Sequence, residues 1–290
     1  MRRVPSNTIS SSDYSSTNSD PLCNGQGGSM STVHMTPNSQ TISAKVISLS
    51  GSLKRRDAVS SNLATAKSLN WEFFDAATSD RPVELIVDTK RQLAKCGRVL
   101  SNGEIGCFKS HFEVLKQFVE GDGREWLLVL EDDVWVDPEF DFHLLTKELE
   151  KLQIDCLRLF ARRIKRVDVV GYFGEQQVVR FRSDPYGTQA YVISRAGAAR
   201  FLSTIKAIDM PIDVELGRFW NHGLAIYAIF PFPCVERAFV STLLQEREHS
   251  KGAVQNRSLR HYIFRIENKF HKEMANLHFR WSRFWKRGEC

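Results

Sequence analysis

Residues 126–137 read WLLVLEDDVWVD, an apolar run broken by three adjacent carboxylates before apolar sequence resumes. Trp126 to Leu130 has the length and composition of a strand buried on both faces, which belongs in an α/β sheet, where ligands collect beyond the carboxyl ends of the strands. Folding alone does not ask for the triplet that follows. Glu131, Asp132 and Asp133 repel one another unless a cation neutralises them, and hard oxygen ligands suit Mg²⁺ or Mn²⁺, ions that commonly hold a phosphate. The alternative is a solvated acidic turn leading to a helix start at Asp137-Pro138.

The flanking segments extend the α/β reading. A strand at Lys45–Leu49, a helix from Leu53 to Leu69 and a second strand over Trp71–Phe74 follow one another. Ser101 and Glu104 form a capping-box pattern, after which Ile105, Phe108, Phe112, Leu115 and Val119 recur at helical spacing and lead into the acidic strand. Beyond it the sequence predicts helices over Phe140–Leu152 and from about Arg195 to Ile205. Strands are predicted over Ile154–Phe160, Thr188–Ser194 and Leu224–Phe230. The basic, irregular stretch Ala161–Asp184 reads as a long loop or hairpin of the kind that covers a site. Residues 1–43, rich in Ser, Thr and Asn, are expected to be disordered. The organisation is therefore a disordered leader, a domain over 44–250 and a C-terminal tail over 251–290.

At 290 residues and 42% hydrophobic, with 19 Phe and 6 Trp, the chain can bury a sizeable core. It has no run long enough to span a bilayer and no apolar signal core after Met1-Arg2-Arg3, so a cytoplasmic location is expected. The six cysteines, at 23, 96, 107, 156, 234 and 290, lack a Cys-x-x-Cys pair, which suits reduced thiols and argues against structural zinc. No Walker lysine motif or Gly-x-Gly-x-x-Gly is present, which argues against a nucleoside triphosphatase or a dinucleotide enzyme.

Several segments together resemble glycosyltransferase family 25, the lipopolysaccharide and lipooligosaccharide glycosyltransferases whose relatives also glycosylate collagen. They are VISLSGSLKRRDAV at 46–59, WEFFDAAT at 71–78, LSNGEIGCFKSH at 100–111, LLVLEDDV at 127–134, IDCLRLF at 154–160, YGTQAYVISRAGAARFL at 186–202 and PIDVEL at 211–216. The resemblance implies a GT-A fold, a Rossmann-like sheet binding a nucleotide sugar, with the acidic motif as its metal site. Asp133 has the first claim as ligand, then Asp132, with Glu131 at the first acidic position.

The same resemblance implies roles elsewhere. It turns the loop Leu49-Ser50-Gly51-Ser52 toward the nucleotide, where small residues let amides approach a phosphate and an arginine, Arg55 or Arg56, can grip it; either arginine is equally suited to a solvated helix face. Glu104 and His111 are expected near the donor, although Glu104 also suits a cap and His111 a buried, satisfied histidine. Cys107 reads as a small core residue. Thr188 and Gln189 are candidates for reading sugar hydroxyls. The family implies inverting transfer, which needs a carboxylate to accept the acceptor hydroxyl's proton. Asp213 is the first candidate, Glu215 the second, and Asp155 a further possibility. The implied donor is a UDP-hexose carrying galactose or glucose, and the implied acceptor a lipid-linked oligosaccharide. A family member that binds a nucleotide sugar without transferring it is the alternative.

From Arg257 to Arg287 nine Lys or Arg face two acids, interleaved with Tyr262, Phe264, Phe270, Phe279, Trp281, Phe284 and Trp285. A basic helix with aromatic anchors suits an anionic membrane surface, which predicts a peripheral enzyme on the cytoplasmic face of the inner membrane. The same residues are consistent with a helix packing its aromatic stripe on the domain while its cations face water. Nucleic-acid binding through the tail is the rival from another class. It leaves the acidic strand end, which repels a polyanion, unexplained, and no nucleic acid is expected.

Overall fold

The computed structural model describes residues 42–66, 69–121, 123–237 and 258–287, with side chains described to residue 282. The chain forms β1 (Ile42–Ser48), α1 (Leu53–Leu63), β2 (Trp71–Asp75), α2 (Thr89–Lys95), α3 (Asn102–Glu120), β3 (Trp126–Glu131), β4 (Val134–Val136) and α4 (Phe142–Lys151). Then follow β5 (Cys156–Arg158), β6 (Val167–Phe173), β7 (Gln176–Phe181), β8 (Ala190–Ser194), α5 (Arg195–Thr204), α6 (Ile212–Leu216), α7 (Phe219–His222), β9 (Tyr227–Phe230), β10 (Cys234–Glu236) and α8 (Leu259–Arg287). Eight strands make one mixed sheet in the order β2-β1-β3-β8-β5-β9-β7-β6, while β4 and β10 form a separate antiparallel pair.

β3 shows why its sequence is uninterrupted apolar. Leu128 and Leu130 pack with Val59, Leu63, Leu145 and Leu149 of α1 and α4. Leu127 and Val129 pack with Phe108, Phe112 and Phe201 of α3 and α5. Period-two alternation thus feeds two cores, each buried leucine contributing about 1.5–3 kcal/mol. β1 pairs in parallel with β2 on one side and β3 on the other. The helix leading to β2 lies on one face and the helix leading to β3 on the opposite face, so the crevice between β1 and β3 is a topological switch point, where α/β sheets bind ligands.

The α/β fold matches the expectation, with differences in the parts. β1 begins at Ile42, two residues inside the stretch read as leader; the rest of that stretch, 1–41, lies outside the described residues. α1 stops at Leu63, and α4 starts at Phe142 behind an Asp141 cap rather than at Asp137-Pro138. The 161–184 stretch contains the β6–β7 hairpin. Sequence reasoning missed α2, α7, β4 and β10.

Of the C-terminal tail, 251–257 and 288–290 lie outside the described residues. α8 packs on the domain through a polar stripe. Asn268 accepts from Arg218 and Trp220, Asn276 accepts from Arg180 (3.0 Å) and donates to Arg182 O (2.9 Å), and Arg180 lies between the rings of Phe219 and Phe279. The opposite stripe is apolar and exposed: Leu259, Ile263, Ile266, Phe270, Leu277 and Trp281, with Ile266 at 70% and Trp281 at 67%. The packing expectation holds in part: Phe264 and Phe279 turn to the domain and Arg260, Arg265, Lys269 and Arg280 face water, but most of the apolar stripe faces water as well. Among the described residues no helix is long and apolar enough to cross a membrane.

Candidate functional site

The parallel register sets Ile47 beside Glu131, so β1 and β3 end together and their following residues meet. Ser48 Oγ donates to Asp132 Oδ2 at 2.7 Å, and the first turn of α1 brings Arg55 to Asp132 Oδ1 at 3.0 Å. Asp132 is buried and engaged from both sides. Arg56 turns away, binding the Ser48 carbonyl at 3.0 Å and Asp75 and lying over the Phe73 ring, so it ties the end of β1 to β2. Ser48 and Ser52 border the cleft here, and Ser50 does not line it.

The cleft has a volume of about 340 Å³, and its other wall is α3. That helix is fixed by the capping box expected from sequence: Ser101 Oγ accepts the Glu104 amide at 3.2 Å, and Glu104 accepts the Ser101 amide at 3.0 Å. Glu104 also holds Arg98 through two bonds of 2.6 Å, so its carboxylate is structurally committed and does not line the cleft. Gly106 permits close approach of α3 to the 76–78 loop, because a Cβ there would stand 2.6 Å from the Ala77 carbonyl oxygen. Ser110 Oγ fixes the same loop by accepting the Ala77 amide at 2.8 Å. His111, fully buried, meets the Tyr191 hydroxyl at 3.1 Å through Nδ1 and lies 3.5 Å from Glu131 Oε1 through Nε2.

β8 runs antiparallel to β3, so its start meets the end of β3. That delivers Thr188, whose hydroxyl donates to Glu131 Oε1 at 2.9 Å, and buried Gln189, whose amide lies 3.4 Å from Glu236 Oε1. Glu236, missed in the sequence, arrives through the β4–β10 pair, where it sits opposite Val134, and Arg162 binds it at 2.6 Å. Only its place in an apolar β-like run, Cys234-Val235-Glu236, hinted at it.

Asp133 occupies the turn between β3 and β4, and its Oδ1 is buried with no hydrogen-bond partner among the described residues. Burial, followed by repulsion from Glu131, Glu236 and Asp132, pushes its carboxyl up to about 7. Burial likewise favours the neutral form of Glu131, but His111, Thr188 and Arg162 together outweigh it and hold that carboxyl below its usual value. A buried oxygen without a partner, ringed by acids, is the environment a hard divalent cation satisfies. Asp133, Glu236 and Glu131 carry hard oxygens within electrostatic reach of one another, whereas Asp132 is already held by Arg55 and Ser48. Among the described residues the set of three whose donor atoms lie within 4.8 Å of one another is Cys107 Sγ, a His111 ring nitrogen and a Glu131 oxygen, a mixed set suited to softer metals.

The base candidates lie elsewhere. Asp213 and Glu215 sit on α6, beside a second cavity lined by Pro211, Val214, Gly217 and Arg218. Glu215 is buried and accepts two bonds from Arg218, at 2.9 and 3.0 Å. Asp213 stands within electrostatic reach of Arg98 and Asp184. Asp155 bonds Ser194, which the register places opposite Trp126 at the start of β3, so it belongs to the end of the sheet away from the triplet.

A model of the family described as glycosyltransferase family 25 (LPS biosynthesis protein) matches residues 42–216, more than half of the chain. The lacto-N-neotetraose biosynthesis glycosyltransferase LgtE of Neisseria meningitidis is 27% identical over 69% of this chain and 76% of its own length. The procollagen galactosyltransferase 1 of Danio rerio is 34% identical, over 43% of this chain and 21% of that protein. A probable inactive glycosyltransferase 25 family member 3 of Bos taurus is also 34% identical, over 47% of this chain and 25% of that protein.

Proposed function

Because the chain belongs to glycosyltransferase family 25, we propose that it is a GT-A-type enzyme moving galactose or glucose from a UDP-sugar to a lipopolysaccharide or lipooligosaccharide core, with inversion. The observation that carries the reading is Asp133: a buried carboxylate oxygen with no partner among the described residues, set among acids at the switch point of the sheet. Mn²⁺ or Mg²⁺ bound by Asp133, Glu236 and Glu131 would supply Lewis-acid stabilisation of the departing diphosphate. Asp132, itself held by Ser48, positions Arg55 at the cleft, where its guanidinium grips a phosphate. Thr188 orients Glu131, and Gln189 offers a neutral group to sugar hydroxyls. Asp213 is the proposed proton acceptor; Glu215, bound by Arg218, serves to anchor that arginine.

The outward apolar stripe of α8, flanked by Lys and Arg, favours docking on an anionic membrane in the plane of the lipid headgroups, on the cytoplasmic face of the inner membrane. A lipid-linked acceptor would then be met where it resides.

The test is a panel of UDP-sugars with and without Mn²⁺, read as thermal protection and as UDP release with lipooligosaccharide acceptors. One or two UDP-hexoses should protect only with metal, and Asp133→Asn should abolish the effect. Equal protection in that variant would remove the metal role. Binding without turnover on any acceptor would favour a non-catalytic member, the reading its likeness to the bovine protein supports.

A further inference from the structure

A second cavity, of about 690 Å³, lies between α8 and the segments 95–98, 183–186 and 210–220. It shares no lining residue with the donor cleft; Glu104, paired with the Arg98 that lines it, caps α3 between the two. Its lining carries seven Lys or Arg and one carboxylate, Asp184. Three of the cations are neutralised locally, Lys95 by Asp209, Arg98 by Glu104 and Arg218 by Glu215. The others are not matched in this way. Lys165 lies 4.3 Å over the Tyr186 ring, and among the described residues Lys272 approaches only Glu273, at 3.8 Å, and no carboxylate pairs with Arg265 or Lys269.

On α8 the lining positions are His261, Phe264, Arg265, Asn268, Lys269 and Lys272, one face at helical spacing. A helix that merely packed would turn apolar residues to that side, yet this one turns His261, Asn268 and half-buried Lys272 inward beside Phe264, sets Arg265 and Lys269 at the exposed rim of the cavity and leaves its aliphatic stripe outward. Two buried polar atoms of the lining, Asp184 Oδ2 and His261 Nδ1, also lack partners among the described residues. His261 is only 6% exposed and is accommodated against Gly97, whose φ of +78° and missing Cβ leave room for the ring. Tyr186 holds a left-handed φ of +61°, a conformation that costs a non-glycine residue energy and recurs at ligand sites.

We infer that this cavity is a binding site for a saccharide bearing an anionic group, phosphate or carboxylate. The aromatic faces of Tyr186, Trp220 and Phe264 suit the apolar faces of sugar rings, Asp184 Oδ2 and His261 Nδ1 suit hydroxyls, and Lys165, Arg265, Lys269 and Lys272 suit the anion. Burial of Lys165 and the positive charge of Arg163 and Lys272 lower its affinity for a proton despite Asp184, which fits a cluster of cations awaiting a counter-charge. The inference deepens the proposed transfer reaction, on which it rests for the word acceptor: the charged part of the acceptor is held here while its hydroxyl reaches toward the donor.

The test titrates the full chain calorimetrically with trehalose 6-phosphate, trehalose, a glucuronate-containing disaccharide and inorganic phosphate. At least tenfold tighter binding of the sugar phosphate or the uronate than of trehalose and free phosphate is expected, and the tighter of the two identifies the anion. Arg265→Glu with Lys269→Glu should cost at least tenfold, while Arg265→Lys with Lys269→Arg retains binding; both pairs are on the exposed helix, and melting curves check folding. Equal binding of charged and neutral disaccharides, equal loss in both variants, or displacement by UDP would overturn the inference. Failure of UDP and Mn²⁺ to bind the same sample, with the sugar anion still bound, would refute the proposed reaction and leave this site standing.

Discussion

Asp133→Asn should stabilise the metal-free protein while abolishing its response to Mn²⁺. In the folded chain the carboxyl is raised from an ordinary 3.8 to about 7, so the native state binds the proton that the unfolded state releases between those values. With more protons on the native state, stability falls as pH rises through that window and levels off above it. Three units at 1.36 kcal/mol each set a ceiling of about 4 kcal/mol at pH 8, and roughly half of that is expected once relaxation and water penetration are allowed for. Asparagine keeps the shape and removes the charge. In EDTA at pH 8 the variant should therefore melt roughly 4–8 °C higher, for about 2 kcal/mol in a domain of this size. The gap should be about half as large at pH 5.5 and constant above pH 7.5. Added Mn²⁺ should raise the melting temperature of the wild type alone, with apparent affinity increasing up to about pH 7 as the carboxyl ionises. A variant less stable than wild type in EDTA at pH 8, or equally stabilised by Mn²⁺, would refute the reasoning.

Gly106→Ala puts a methyl 2.6 Å from the Ala77 carbonyl oxygen and should cost about 1–3 kcal/mol, seen as a lower melting temperature together with weaker UDP binding at the displaced cleft wall. Glu236→Gln should weaken Mn²⁺ binding about tenfold by calorimetry; an unchanged affinity would remove Glu236 from the proposed ligand set. Ile266→Asp with Phe270→Asp should lower co-sedimentation with anionic vesicles more than tenfold, each lost side chain removing about 1.5–3 kcal/mol of burial, while the melting temperature stays within about 0.5 kcal/mol of wild type because both sites are exposed. Undiminished sedimentation would show that the stripe does not meet the lipid.

What could be read from the chain was what local patterning determines. β3 declared itself because both its faces are covered, and α3 because Ser101 and Glu104 cap an apolar stripe of regular period. α2 escaped notice because its seven residues carry no such stripe: Asp88 caps it and Asp209, more than a hundred residues on, holds Arg91 and Lys95. Glu236 escaped for a related reason, since only the pairing of β10 with β4 brings it to the triplet. The amphipathic period of α8 was legible but its direction was not: which stripe turns inward depends on Asn268 and Asn276 finding Arg218, Trp220, Arg180 and Arg182 across the interface. Glu104, similarly, was visible as a cap, but its engagement by Arg98 was not.

The reversal of strand direction between β3 and β8 divides labour along the chain. The carboxylates ride on a rigid central strand, whereas two of the groups facing them, Thr188 and Gln189, enter from the turn immediately ahead of β8. Such an arrangement lets substitutions at Thr188 and Gln189 retune which sugar is handled, without disturbing the anchorage beneath; selection experiments seeking new specificity would do well to begin there and leave 126–133 untouched.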